Sequence, residues 1–409
     1  MSIAGERRLA DAPPMPSPTG AARRSLLVAC AAHALHDGYT DLIYLLLPLW
    51  QAEFGLGFAV LAALRGTYVG SMALLQIPVG HLAGHRFSAR GLLALGTVLA
   101  ALGYAVAGAS GGLAGLVLGL ALSGAGSSTQ HPIASAVVSR AYGTAARGPL
   151  GTYNFAGDLG KAALPATTSL LLAWLSWRPT LWLLAGFGIA CAALIALGLP
   201  RRAGMAPARC DAASPAAGPG GARGGFALLL GIGVLDSAVR MGLLTFLPFL
   251  LQAKGADMPM VGFALSLVFL GGAAGKFVCG LLGARFGVLW VVLATEGGTA
   301  LLILGLLALP LGSALAVLPL LGMLLNGTSS VLYGTVPELT AAAKAERAFA
   351  VFYTGTIGSG AVAPVLYGWL GDGVGVPWAT VATAGTALAT LPLAALLVPR
   401  LAQDRRPHG

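Results

Sequence analysis

The chain has 409 residues, of which 57% are hydrophobic and only 9% charged, with a formal net charge of +10. Soluble domains carry about 25% charged residues, so this composition excludes an ordinary soluble protein and points to an all-α membrane protein. The four cysteines, Cys30, Cys191, Cys210 and Cys279, have no paired or metal-ligand spacing and read as reduced and incidental.

Residues 1–24 are Pro-rich and basic and read as a disordered tail. Beyond them, apolar stretches able to cross a bilayer, about 20 residues each, recur twelve times. They cover 25–50, 58–83, 91–109, 112–140, 149–173, 179–199, 225–252, 259–283, 287–309, 313–340, 348–370 and 378–399. The Leu27-Val28-Ala29-Cys30 run resembles a lipoprotein cleavage site, but the apolar stretch before it is too short for a signal core.

The first segment is the most informative. His33, His36, Asp37 and Asp41 interrupt it, and positions 33, 37 and 41 share one helical face. A charge at the centre of a membrane helix costs at least about 2.5 kcal/mol, so this face is expected to line a wet pathway. Asp37 and Asp41 are the candidate proton-coupling groups, because a carboxylate in a poorly hydrated cavity can load and release a proton near neutral pH. His33 and His36 can relay that proton or bind an anion. The alternative is a static pair of Asp37 or Asp41 with Arg240 or Lys161.

In the fourth segment Pro132 removes a backbone donor and bends the helix, which makes Gln130 and His131 candidate substrate ligands. The fifth carries Asp158 and Lys161, three apart, a static pair or one that substrate displaces. The seventh carries Asp236 and Arg240, four apart, either an intrahelical pair or an anion clamp, because a guanidinium fork suits carboxylate, phosphate or phosphonate. Tyr153, Asn154, Asn326, Tyr333 and Tyr353 offer neutral hydrogen bonds to substrate or between helices. Lys276 and Arg65 are expected to snorkel toward the interface. No nucleotide loop and no positioned nucleophile appears. His33 and His36 are three apart with no third metal ligand evident along the chain, so no enzyme activity, cofactor or metal site is expected.

Four of the 24 Lys and Arg lie within segments: Arg65, Lys161, Arg240 and Lys276. Only Arg178 and Lys254 fall on one side of the bilayer, and all the others share the side of both termini. That asymmetry predicts cytoplasmic termini and a multi-pass protein of the inner membrane. The basic residues are scattered over short loops, which argues against a nucleic-acid partner.

The Pro/Gly/Ala-rich stretch 200–224 reads as a cytoplasmic linker between six-segment halves, 25–199 and 225–399, with a short tail at 400–409. The halves align at a constant offset: Pro48 with Pro248, Gly80 with Gly280, Arg147 with Arg347, Tyr153 with Tyr353 and Gly160 with Gly360. Internal duplication marks secondary transporters, whose site lies near the midplane between the repeats.

HALHDGYTDLIYLLLPLWQAEFGL in the first segment, GSSTQHPIASAVVSRA in the fourth and LLTFLPFLLQAKG in the seventh carry a resemblance that runs from 25 to 399. Together with the six-plus-six pattern and the Gly-rich basic loops after segments 2 and 8, they resemble the major facilitator superfamily, and within it the fosmidomycin-resistance-like branch. The resemblance implies twelve helices in two pseudo-symmetric six-helix bundles, a cavity lined by segments 1, 4, 7 and 10, and a protein working as a monomer. It implies proton-driven efflux of a small polar or anionic compound by alternating access. Proton symport importing an organic anion, and a membrane sensor on a transporter scaffold, are the rival readings. Two departures stand out. The loop after segment 2 has Gly84-His85-Arg86 where the superfamily places an Asp before the Arg, so that charge lock is expected to be weaker or to be made otherwise, as by Glu296 or Glu338. NFAGDLGKAALP replaces the Gly-Pro motif of drug antiporters in segment 5 and favours a polar or charged substrate.

Overall fold

The computed structural model describes residues 19–85, 87–200, 224–340 and 345–404. The described chain is helical. The N-terminal half comprises α1 (Gly20–Phe54), α2 (Phe58–His85), α3 (Ala89–Gly108), α4 (Leu113–Ser127), α5 (Gln130–Tyr142), α6 (Arg147–Leu172) and α7 (Trp177–Gly198). The C-terminal half comprises α8 (Gly225–Ala253), α9 (Met258–Phe286), α10 (Val288–Ala308), α11 (Leu311–Thr335), α12 (Ala345–Val374) and α13 (Val376–Asp404). Helices α4 and α5 together form one span, so each half holds six. Among the described residues, nine helices are long and apolar enough to cross a membrane. The other three spans are α1 and α6, which carry charges, and the two-part α4–α5.

Helix α1 starts earlier than the expected boundary at 25, because the Thr19 hydroxyl accepts from Ala22 N at 3.2 Å and caps its first turn. Most of the expected tail and of the linker lies outside the described residues. Helix α13 runs past 400 to Asp404. The fourth span keeps helical dihedrals through Ser128 and Thr129, but its bonding is irregular there, and the two hydroxyls turn back onto Ala125 O and Gly126 O. Pro132 then sits in the first turn of α5, where its missing N–H is tolerated.

The two halves meet along two seams, α2 against α12 and α6 against α9. Helix α6 lies flush on α1 because Gly157 and Gly160 face it. A methyl on Gly160 would strike the Ala34 carbonyl, and one on Gly157 would come within 2.6 Å of Asp37 Oδ2. Residues 200 and 224 flank the linker at one end of the bundle. At the opposite, far end the halves are sealed. Asp372 of α12 accepts from Phe58 N at 2.6 Å and Ala59 N at 3.1 Å, capping α2 from across the seam. Phe58 packs edge-on against Phe246 and Phe249. Lower on the other seam, Ser266 Oγ donates to Ala162 O at 2.6 Å. A staple at the far end joins α1 to α7: Glu53 accepts from the Trp177 indole and the Arg178 guanidinium, both at 2.5 Å. The Trp177 hydrogen bond, followed by Arg178, holds the Glu53 carboxyl below the usual range.

Candidate functional site

A cavity of about 240 Å³ lies between the halves, on the linker side of the far-end seal. Segments 1, 4, 7 and 10 line it, as the resemblance implies, and so do α2, α6, α9 and α12 through Arg65, Lys161, Lys276 and Tyr353. The seam helices thus contribute charged side chains as well as the central ones.

The N-terminal wall is a compact ionic cluster. His33, His36, Asp37 and Asp41 are all buried, at 4–7% exposure. Asp37 is held from three sides: Lys161 Nζ lies 3.4 Å from Oδ2, while His33 Nε2 at 3.4 Å and His36 Nε2 at 3.7 Å face Oδ1. His36 Nε2 also meets His131 Nε2 at 3.3 Å. His33 stacks on Tyr153, ring centroids 4.1 Å apart, and its Nδ1 donates to the Tyr153 carbonyl at 2.9 Å. His36, Asp37 and His131 face the cavity, and His33 stands behind them.

Asp158 is shared. Lys276 reaches it across the seam at 2.5 Å and Lys161 lies 3.9 Å away. The expectation that Lys276 snorkels to the interface is therefore corrected: a carboxylate on the facing helix captures its ammonium inside the cavity. The same holds for Arg65, which is 3% exposed. Its guanidinium lies 4.5 Å over the Tyr44 ring and its Nη2 donates to Met241 Sδ at 3.2 Å, so an aromatic face and a thioether solvate it in place of water. Asp41, by contrast, lines the cavity with no ion pair within 4 Å among the described residues.

The C-terminal wall is milder. Arg240 faces the cavity and Asp236 stands buried behind it, 3.4 Å away, so the intrahelical pair and the exposed guanidinium coexist. Asn326 lines the cavity and donates to Gly322 O of its own helix at 3.1 Å. Tyr333 and Tyr353 lean on one another, ring centroids 4.8 Å apart. Three residues singled out in the sequence stand away from the cavity. Gln130 is buried beside a far smaller void next to α3, Asn154 is exposed, and Tyr153 acts through its ring and carbonyl. Glu296 is not at the loops where a charge lock was expected. It is 2% exposed inside the C-terminal half and accepts from Thr328 Oγ1 at 2.8 Å.

The profile of the Major Facilitator Superfamily matches residues 29–214 and 229–408, leaving out a gap beside the linker. The chain belongs to this superfamily. It is a multi-pass membrane transporter and not an enzyme. No curated protein sequence matches it. Among solved structures it is similar to a bacterial homologue of the human lysosomal transporter Spinster in an inward-facing, occupied conformation, at 15% identity. That match covers 94% of this chain and 98% of the other, with a TM-score of 0.77. It is also similar to the nucleoside transporter NupG, in mutant form (13% identity, 95% and 100% covered, TM-score 0.72). A mutant peptide transporter in complex with alafosfalin matches likewise (15% identity, 93% and 96% covered, TM-score 0.73). At such identities the likeness concerns the fold.

Proposed function

We propose that this transporter is proton-coupled and moves a small anionic compound outward across the inner membrane, with both termini cytoplasmic and the monomer as the working unit. The observation that carries the reading is the charge pattern of the cavity. Arg65, Lys161, Arg240 and Lys276 line it against Asp37, Asp41 and Asp158, and Asp41 alone of the carboxylates lacks a cationic partner among the described residues. Arg240 and Lys276 supply the anion contacts from the C-terminal wall.

Asp41 is the proton carrier in this reading. Protonation of Asp41 biases one facing state and an anion at Arg240 and Lys276 biases the other, so proton and anion cross on opposite halves of the cycle. Substrate and proton thereby bind the two facing states differently, which is all that coupling requires. The far-end seal supports reading this as the state that loads from the linker side, taken here as cytoplasmic, after which the halves rock about the midplane. The positive-inside count and the resemblance to an efflux branch support the orientation and the direction.

The test is reconstitution into liposomes holding a pH-sensitive dye, with small carboxylates, phosphates and phosphonates screened for linked proton movement. Opposed movement that disappears in Asp41→Asn is expected. Movement in the same direction as substrate would replace export by symport, and proton movement intact in Asp41→Asn would remove Asp41 from the mechanism.

A further inference from the structure

Sequence spacing offers only two imidazoles, His33 and His36, on one turn of α1. The fold adds a third, His131 from α5, beside the carboxylate oxygen that His33 and His36 face. The ligand atoms of His33, Asp37 and His131 lie within 4.8 Å of one another. His36 closes the set through His131 Nε2 at 3.3 Å and Asp37 Oδ1 at 3.7 Å.

The hydrogen bonding leaves this cluster short of a cation. A carbonyl only accepts, so His33 Nδ1, 2.9 Å from Tyr153 O, carries the ring proton. In the neutral ring Nε2 is then a bare lone pair, and it faces Asp37 Oδ1 at 3.4 Å, acceptor against acceptor. That nitrogen is fully buried with no hydrogen-bond partner. Lys161 occupies the other carboxylate oxygen, Oδ2, and leaves Oδ1 open toward the imidazoles.

We propose that His33, His36, Asp37 and His131 form a binding site for one divalent transition-metal ion of the zinc class. Tetrahedral coordination at about 2.0–2.1 Å sets ligand atoms roughly 3.3–3.4 Å apart; three of the separations are already 3.3, 3.4 and 3.7 Å, and the wider ones, up to 4.8 Å among His33, Asp37 and His131, close by side-chain rotation. An imidazole-rich set suits zinc, nickel or cobalt and disfavours magnesium and calcium. A ligating histidine usually donates its other ring N–H to a carbonyl, as His33 does to Tyr153, and Lys161 fixes the carboxylate. His36, Asp37 and His131 face the cavity, which is the entry path. Ion binding is read on protein at rest and is independent of the proposed flux.

The experiment uses tag-free, full-length protein in detergent, stripped of metal and titrated with Zn²⁺, with bound metal counted by mass spectrometry. One zinc per chain is expected, with Mg²⁺ unable to compete. Affinity should fall at least tenfold in His131→Ala and in His36→Ala, and should hold in His81→Ala, an exposed histidine outside the cluster. Co²⁺ loaded into the unaltered protein gives a readout that needs no variant: an intense tetrahedral absorption spectrum is expected. No stoichiometric zinc, binding indifferent to His131→Ala and His36→Ala, or an octahedral cobalt spectrum would each overturn the site. The first of these would leave a proton as the cation between His33 and Asp37.

Discussion

The two walls of the cavity descend from one repeat, and their chemistry has parted completely. At the constant offset, Asp37 is answered by Ser237, Asp41 by Met241, Lys161 by Ala361 and Asp158 by Gly358. Where Asp37 gathers two histidines and a lysine, Ser237 donates one hydrogen bond to Thr356 O at 2.7 Å. Where Asp41 stands without an ionic partner, Met241 gives its sulfur to Tyr44 and Arg65 of the other half. The single cation that the seventh segment brings to the C-terminal wall, Arg240, has its neutralising carboxylate directly behind it. Duplication preserved the helix positions and the close-packing points. It did not preserve the ionisable groups, which concentrate on the side contributed by α1 and α6. In the proposed cycle, pseudo-symmetry supports the rocking motion, while the asymmetry of charge gives proton and substrate different handles.

Substitutions can break that comparison at graded cost. The largest effect is expected from Asp41→Asn: uphill flux in proteoliposomes falls to the level of empty vesicles, while exchange of substrate across the membrane continues. Next, Arg240→Gln removes the C-terminal anion contact and strands Asp236, which is buried. Breaking a buried pair costs about 3–5 kcal/mol, so a lower melting temperature and a KM raised more than tenfold are expected. Asp236→Asn added to Arg240→Gln should recover the stability and leave KM high, which separates binding from folding. Third, Gly160→Leu drives α6 off α1 at the Ala34 carbonyl; overpacking of this kind costs about 1–3 kcal/mol and should lower the melting temperature. Fourth, Asp372→Ala uncaps α2 across the far-end seam at about 1 kcal/mol. It should raise several-fold the labelling rate of a cysteine placed at Phe246. The smallest effect belongs to Glu53→Gln, at less than about 1 kcal/mol for a half-exposed pair. The Glu53 carboxyl is held below its ordinary range, so its stabilisation is complete at neutral pH and fades as the pH drops through that lowered value. A melting series from pH 7 downward should therefore bring the Glu53→Gln protein and the parent together.

Much of the fold was legible because it rests on local and periodic signals. Apolar length marked the spans, and the recurring Pro48/Pro248 and Gly160/Gly360 pairs marked the two halves. The stripe on α1 was legible for the same reason, since 33, 37 and 41 fall on one face. What stayed hidden depends on contacts between distant parts of the chain. His131 meets His36 across 95 residues and Lys276 meets Asp158 across 118. No spacing rule reports such encounters, and each of these residues seen alone invites the reading of a satisfied core group or a snorkelling side chain. One signal was present for Lys276. Asp158 and Lys276 are opposite charges inside two apolar segments, and such charges pair with one another rather than face lipid. Arg65 had no comparable signal, because its partners are a tyrosine ring and a methionine.

The irregular bonding at Ser128–Thr129 reaches back to how the protein is made. Helices α4 and α5 have 15 and 13 residues, and a lone helix needs about 20 to cross the hydrocarbon core. The apolar part of the fourth span, α4, is therefore short for a crossing on its own, and α5 carries Gln130, His131 and Arg140 on a weakly apolar background. Stable entry of the span into the bilayer is expected to wait on α3, along which α4 packs, and on α1, which α5 touches. The histidine that completes the cluster thus arrives on the segment least able to integrate unaided during synthesis.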